Sequence, residues 1–405
     1  MEQALVLTPR GRSILGLGFG VYVAAWAFGS KPLYPVATGL LLVVGVAWVW
    51  VRLANRPFRV RRGWGDSEHV EGDDVPVIVE LEATASVLPA SATLVERVGR
   101  LEEQRHSLRR NRRRLSIRYV LERLPRGRYA FDDVRVEIAD PFELERVTVS
   151  LPTPGALLVY PRLVRLDRLF SESGARSHDG RRALLLRQSG FELHGVREYE
   201  QGESLRRVHW RSTARRGQLM VKELEDAPRD EIAVLLDADA ASVVGESFDV
   251  QVRAAGSILE SYVRRGRRAV LVVNSERREV QQVHSAAADW RRALELLAGA
   301  EATGNAPLVR LLAQEDSPAA RALELAVMTA RLEPALVDRL VQRALSRRRV
   351  SLVYVDPASF NGSERRREPL LLRLHAAGIP VAVVRAGDDL AACLVGAPLG
   401  EAARA

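Results

Sequence analysis

The chain has 405 residues, 47% hydrophobic and 27% charged, which is enough apolar material for two or three domains with cores of their own and too much for a disordered chain. The net charge of +9 is scattered as arginine among 51 acidic residues, with lysine only at Lys31 and Lys222, so charge alone does not mark a nucleic-acid binder. One cysteine, Cys393, in the apolar run 390–395, excludes an intrachain disulfide framework or a thiolate metal site and suits a reducing compartment.

Residues 1–12 are a short N-terminus containing Arg10 and Arg12. Residues 13–29 and 33–51 are apolar and free of charge. At about 1.5 Å per residue, each run approaches the roughly 30 Å hydrocarbon thickness of a bilayer. Only Ser30, Lys31 and Pro32 separate them, so the spacing predicts a two-helix transmembrane hairpin over 13–51. Trp26, Tyr34, Trp48 and Trp50 stand near the run ends, where interfacial aromatics belong. Gly16 and Gly20 form a GxxxG spacing expected to let the two helices pack closely. Arg52, Arg56, Arg59, Arg61 and Arg62 follow the second run, against Lys31 alone in the turn. The positive-inside rule then puts the N-terminus and the soluble body in the cytoplasm, on an inner membrane. A cleaved signal peptide is disfavoured because a second span follows at once.

Residues 56–165 read as β, with short strands at 77–81, 116–121, 129–138, 148–151 and 156–160 between Gly, Pro, Asp and Arg turns. The pattern predicts a small β-sandwich-like domain. A basic run at 105–114 includes Arg109, Arg110, Arg112, Arg113 and Arg114. It is expected to be a solvated loop or hairpin tip. The alternative, shared with Arg52, Arg56 and Arg59, is a face toward anionic lipid.

Residues 166–189 read as a linker, most polar over 171–182. From 231 to 400 apolar strands alternate with helices: strands at 232–236, 268–274, 350–355 and 380–385, and helices at 248–264, 286–297, 337–347 and 365–377. Such alternation predicts a parallel α/β sheet, whose functional edge lies beyond the carboxyl ends of its strands. Asp237, Asp239 and Asp356 fall on that edge. Hard oxygen ligands there suit Mg²⁺ or Mn²⁺; capping of the following helices by Asp237 and Asp356 is the equal alternative. No phosphate loop, dinucleotide fingerprint, nucleophile elbow or HExxH pair is present, so no catalytic residue is assigned and the chain is not expected to be an enzyme.

One segment, 190–230, is neither linker nor regular alternation. It reads Gly190-Phe191-Glu192, Arg197-Glu198-Tyr199, Gly202-Glu203, Arg206, Val208, Trp210, Ser212, Ala214-Arg215, Leu219, Val221-Lys222 and Glu225, then a strand to Asp237. Upstream stand Arg126-Gly127-Arg128-Tyr129, Asp140-Pro141-Phe142 and Val159-Tyr160-Pro161. Together with the apolar N-terminus, these resemble the bacterial "domain of unknown function 58" family over nearly the whole chain. The resemblance implies a C-terminal domain similar to the von Willebrand factor A fold. It also implies association with a MoxR-type AAA+ ATPase, and often with a transglutaminase-like membrane protein, but no established catalysis.

A-type domains often carry a metal site written DxSxS plus a Thr and a later Asp. Here Asp237 matches, Asp239 and Ala241 replace the two serines, Asp356 takes the place of the later Asp, and no Thr can be placed. No cofactor is expected on that ground, with Mg²⁺ as the alternative. The family more usually has Asp where Glu203 stands. Within the signature, residues 204–215 are expected to form a short helix opened by the Gly202 turn and capped by Ser204, with Leu205 and Val208 inward. Arg197, Arg206, Arg215, Lys222 and Glu225 are expected to pair, with Tyr199 and Ser212 beside them. Trp210 supplies a large anchoring surface. The arrangement is expected to be an internal clamp on the sheet, with a docking face as the alternative. The resulting expectation is a membrane-tethered adaptor for the ATPase. The alternatives are a divalent-metal-dependent ligand-binding module and, less favoured, a hydrolase using Asp237 and Asp239.

Overall fold

The fold is seen in a computed structural model, which describes residues 3–54, 58–65, 68–83, 89–111, 114–131, 133–151, 155–173, 192–199, 208–225, 231–283, 288–363 and 368–396. The chain divides into two units, Met1–Tyr160 and Pro161–Ala405.

The first unit opens with strand β1 (Gln3–Leu7), helix α1 (Pro9–Ala27) and helix α2 (Leu33–Ala54). Eleven strands follow: β2 (Phe58–Gly63), β3 (His69–Val70), β4 (Val75–Ala83), β5 (Ser91–Arg97), β6 (Gln104–Ser107), β7 (Arg109–Asn111), β8 (Arg114–Leu121), β9 (Gly127–Ala130), β10 (Asp133–Ala139), β11 (Glu145–Leu151) and β12 (Ala156–Tyr160). They form sheets of order β1-β11-β10-β5-β6, β2-β4-β8-β7 and β3-β12-β9. Alternation drives the two larger sheets onto one core. Val75, Val77, Val79 and Leu81 of β4 are buried while Ile78 between them is exposed, and Leu94, Val136 and Val149 come from the other sheet. Arg62 of β2 reaches into this core and pairs with fully buried Glu96 of β5, and its guanidinium lies 4.0 Å over the Phe131 ring. A buried pair of this kind fixes which strands face each other more than it adds stability.

Within the segment expected to be a short N-terminus before the first apolar run, Gln3–Leu7 form β1, which pairs with β11, and α1 starts at Pro9. Thr8 explains the early start. Its hydroxyl accepts from Gly11 N at 3.1 Å and donates to the Glu143 carbonyl at 2.7 Å, so the cap ties α1 to the β10–β11 turn. A Cβ on Gly11 would stand 2.2 Å from the Leu144 carbonyl oxygen. The same turn holds the Asp-Pro-Phe motif: Asp140, buried, accepts from Phe142 N at 2.8 Å and Glu145 N at 2.7 Å. The two helices run antiparallel, with Tyr22 edge-on to Tyr34 at 5.6 Å. The expected GxxxG contact is not made: Gly16 and Gly20 face open space, and Gly18, between them, meets Leu40 and Leu41. Among the described residues α2 is the one helix long and apolar enough to cross a membrane, whereas α1 carries Arg10, Arg12 and four glycines.

Of the two forms expected for the basic run, a loop or a hairpin tip, the described residues show the hairpin, with β7 and β8 antiparallel and Asn111 opposite Arg114. Residues 104–111 form β6 and β7, the edge strands of the two larger sheets. Arg105 lies 3.5 Å from Glu103 and 3.6 Å from Glu137, and Arg114 lies 3.9 Å from both Glu80 and Glu82. Charged edges of this kind discourage strand addition. Arg109 is exposed, Arg59 of β2 is exposed opposite Glu82, and Arg52 sits 4.1 Å over Trp48. Arg56, Arg112 and Arg113, with the side chain of Arg110, lie outside the described residues.

The second unit begins with an extended segment leading to α3 (Phe170–Ser173). These residues were expected to open a linker; instead Leu166, Leu169 and Phe170 are buried in the unit's core. Next come β13 (Glu192–Glu198), α4 (Trp210–Arg216), β14 (Met220–Glu225), β15 (Ile232–Leu236), α5 (Ser247–Arg264), β16 (Ala269–Val273), β17 (Glu279–Val283), α6 (Ala288–Gly299), α7 (Leu308–Ala313), α8 (Pro318–Arg321), β18 (Glu324–Thr329), α9 (Pro334–Leu345), β19 (Arg349–Val355), α10 (Pro369–Ala376), β20 (Val381–Val384) and α11 (Leu390–Val395). Six strands make one sheet of order β17-β16-β15-β18-β19-β20, parallel except for β17.

The central strands are apolar on both faces because helices cover both. Ile232, Val234 and Leu236 pack with α5, α6 and α11, while Ala233 and Leu235 pack with α7 to α10. The opening segment is bound to α5. Val164 N donates to Ser257 Oγ at 3.0 Å, Ser261 Oγ donates to the Leu166 carbonyl at 3.2 Å, and a Cβ on Gly256 would stand 2.5 Å from Leu163.

Candidate functional site

The carboxyl ends of the parallel strands gather three of the residues that sequence singled out, but not in one place. Asp237 follows β15 and is buried. Its Oδ2 accepts from the Thr329 hydroxyl at 2.6 Å, and its Oδ1 accepts from Asp239 N at 3.2 Å. Burial pushes the Asp237 carboxyl up, against the pull of hydrogen bonds from Thr329, Asp239 and Asn274, while the Asp239 charge adds to the rise. Thr329 is the threonine that sequence could not place. It ends β18, the strand beside β15, which the sequence reading missed altogether.

A turn of backbone closes over Asp237. Gly304 N donates to the Ala238 carbonyl at 2.8 Å, and Ala240 N donates to the Gly304 carbonyl at 2.9 Å. A Cβ on Gly304 would lie 2.2 Å from the Asn274 carbonyl oxygen and 2.9 Å from that of Ala238, so this position requires glycine. Asn274, after β16, donates from Nδ2 to the Ala306 carbonyl at 2.7 Å and fixes the same turn.

Capping, expected of Asp237 and Asp356, is done by Asp239 and Asp356. Each accepts from the amide two residues on, Ala241 N and Ala358 N, both at 3.1 Å, and each opens a short 3₁₀ turn. Asp356 follows β19, with β18 between it and β15, and lies 3.7 Å from Arg385. Two strand spacings of about 4.8 Å separate it from Asp237, and each carboxylate is engaged at its own strand end, Asp237 by Thr329 and Asp239 N, Asp356 by Ala358 N and Arg385. Among the described residues no three His, Cys, Asp or Glu side chains cluster as metal ligands. The crevice at Asp237 and Asp239 is about 10 Å³, about one water molecule, and Arg331 lines it, 3.1 Å from Glu333. The residues present do not fit a divalent-cation site. They fit a lock on the strand ends.

The signature segment forms a second feature. β13 and β14 pair antiparallel, with Arg197 opposite Val221, Val196 opposite Lys222, and Glu192 opposite Glu225. The side chains of Arg197, Lys222 and Glu225, and all of Gly202, Glu203 and Arg206, lie outside the described residues. Of the expected helix over 204–215, residues 204–207, with Ser204 and Leu205, lie outside the described residues; the described part holds α4. Its cap is His209, whose Nδ1 accepts from Ser212 N at 3.2 Å; Gly217, at φ +69°, ends it. The helix is clamped from below. Val208 bridges to buried Val221, Met220 N donates to Thr213 Oγ1 at 3.0 Å, and Tyr199 N donates to the Leu219 carbonyl at 2.9 Å. Trp210 takes no part: its side chain is 67% exposed, beside exposed Arg211, Arg215 and Arg216. What holds α4 to its own hairpin is Val208, Thr213 and Met220; of the charged side chains expected to clamp the segment, all but Arg215 lie outside the described residues.

The second unit is thus a mixed α/β domain with a predominantly parallel sheet, preceded by a strand hairpin bearing a surface tryptophan. A family model described as "Protein of unknown function DUF58" matches residues 195–358, from the hairpin through Asp237 to just beyond Asp356. The chain is also similar to the uncharacterized protein YeaD of Bacillus subtilis (strain 168), at 26% identity over 222 residues. That match spans 55% of this chain and 55% of the relative, about half of each. Both matches support the DUF58 resemblance.

Proposed function

We propose that the chain is a membrane-anchored, non-enzymatic adaptor. In this reading α2 crosses the inner membrane, with α1 packed against it as a second crossing, and the soluble body is cytoplasmic. The second unit is a von Willebrand factor A-like domain that presents α4 and its surroundings to a MoxR-type AAA+ ATPase, in the maturation of envelope or secreted proteins. A transglutaminase-like membrane protein is a further partner.

The observation that carries this reading is Trp210. An indole 67% exposed on a helix capped at both ends and clamped underneath is held in water at a cost in apolar exposure. Tryptophan flanked by arginine is the composition of a binding hot spot. The order of the six-stranded sheet, with one antiparallel edge, supports the A-like reading. The strand-end carboxylates support a non-enzymatic role, because each is engaged in capping or locking its own turn.

The test is affinity capture of the full-length protein from detergent-solubilised membranes, in parallel with Trp210→Ala, read by mass spectrometry. The expected result is recovery of a AAA+ ATPase that falls at least tenfold in the variant, with unchanged circular dichroism. Absence of such an ATPase from the wild-type capture, or equal recovery by both proteins, would overturn the adaptor reading.

A further inference from the structure

Away from both features, the second unit has a cavity of about 600 Å³ between α7, α8 and α9, lined among others by Arg321, Arg339, Arg343 and Arg348 with Glu315 and Asp316. Arg321 is compensated, 2.9 Å from Asp316. The other three have no carboxylate within ion-pair distance among the described residues. Instead they take helix-end carbonyls. Arg339 donates to Leu312 O at 3.0 Å, Arg343 to Ala320 O at 2.9 Å and to Ala322 O, and Arg348 to Ala320 O at 2.5 Å.

Those bonds satisfy some donors and leave the charge unanswered, because a carbonyl is a dipole and not an anion. Each guanidinium has five N–H donors, of which one or two are used here. Arg343 is 9% exposed, and its Nε is buried with no hydrogen-bond acceptor among the described residues. Burial and the charges of Arg348 and Arg339 lower the Arg343 value to about 10. Three cations are therefore gathered around one concavity, one of them buried, at a standing electrostatic cost that a bound anion would relieve.

We infer that this cavity binds a phosphate-bearing small molecule. Arginine forks match phosphate oxygens in bidentate geometry, and the volume lies in the range of small-ligand sites, far above that of a lone inorganic ion. The carbonyl contacts hold the three side chains in place before the ligand arrives, so little side-chain entropy is lost on binding.

The test is calorimetric titration of the full-length protein in detergent at physiological salt. Pyrophosphate represents a soluble source of the group and short-chain phosphatidate a lipid source. The expected result is saturable binding of at least one of them at one site per chain, weakened roughly tenfold in Arg339→Gln and further in Arg339→Gln/Arg348→Gln. The tighter of the two ligands identifies the source. Arg339 is exposed and Arg348 half-buried, so these variants keep the fold, and an unchanged urea transition confirms it. No saturable binding to wild type, or undiminished binding in Arg339→Gln, would overturn the site. Tighter binding of a hexaglutamate peptide than of either phosphate would overturn it as well, assigning the surface to an acidic protein segment.

Discussion

Asp237 and Asp356 look alike in sequence, each an aspartate directly after an apolar parallel strand, and the structure uses them differently. Asp356 is at the margin: it caps a 3₁₀ turn, faces Arg385 at 3.7 Å and is half-buried. Asp237 is at the centre: buried, tied to Thr329 on the neighbouring strand, and covered by the Gly304 turn. The difference lies in what the adjacent strands supply. β15 has β16 and β18 on its two sides, and both send a polar side chain, Asn274 and Thr329, toward the same carboxylate. The strand-end position makes an aspartate available; the neighbouring strands decide whether it becomes a cap or a lock.

The strongest way to break the comparison is Gly304→Ala. The added methyl would meet two carbonyl oxygens, at 2.2 and 2.9 Å, both backbone atoms that cannot swing away. The turn over Asp237 must then lift, at a cost of about 3 kcal/mol or more, the upper range for overpacking. At the Asp356 end, Gly362→Ala meets no atom and carries only the strain of φ +69°, about 1 kcal/mol. Urea unfolding of both variants reads the ratio. Equal losses would mean that the Gly304 turn does not lock the Asp237 end.

A smaller effect separates Thr329→Val from Asp356→Ala. Valine keeps the shape of threonine but removes the hydroxyl 2.6 Å from the buried carboxylate, leaving a charged acceptor short of a donor at a cost of about 2 kcal/mol. Asp356→Ala removes a cap on a solvent-facing turn and should cost about 1 kcal/mol. Native-state hydrogen exchange at the ends of β15 and β19 would assign each loss to its own strand. A Thr329→Val loss no larger than that of Asp356→Ala would place Asp237 among ordinary caps.

Much of this arrangement was legible in the sequence, and the misses share a cause. The strands at 232–236, 268–274 and 350–355 stand out because they are short, apolar and bounded by turns, and all three are present. β18 is as buried as these, but in Glu324-Leu325-Ala326-Val327-Met328-Thr329 alanine, leucine and methionine suit a helix equally well, and periodicity cannot separate a buried strand from a helix segment. Missing β18 left the threonine unplaced and hid the strand that stands between Asp237 and Asp356. The edge strand β17 was hidden by its polar residues Glu279, Gln281 and Gln282, and β13 and β14 by a glycine and a shift of register at Leu193 and Gly195. In the signature, the exposed Trp210 drew attention that Thr213 and Met220 deserved. Amphiphilic size is visible in a sequence, whereas the backbone donor that a side chain accepts from seven residues away is not.

The finest discrimination between the two aspartates is by pH. Burial raises the native value for Asp237 above the ordinary 3.8, so between that value and the raised one the folded chain holds a proton that the unfolded chain has released. In that interval stability falls as pH rises, and above it the penalty of the buried charge is constant. Carboxylates held in ion pairs contribute with the opposite sign, so the quantity to read is the difference between wild type and Asp237→Asn. Asparagine keeps an acceptor for Thr329 but presents an amide to the Asp239 N–H, which shifts the whole curve by a constant. The slope is therefore the test. From pH 7 downward, wild type should gain stability relative to Asp237→Asn, beginning above the ordinary carboxylate range. Parallel curves through that range would mean that the three donors around Asp237 fully offset its burial, and that the charge costs the native state nothing.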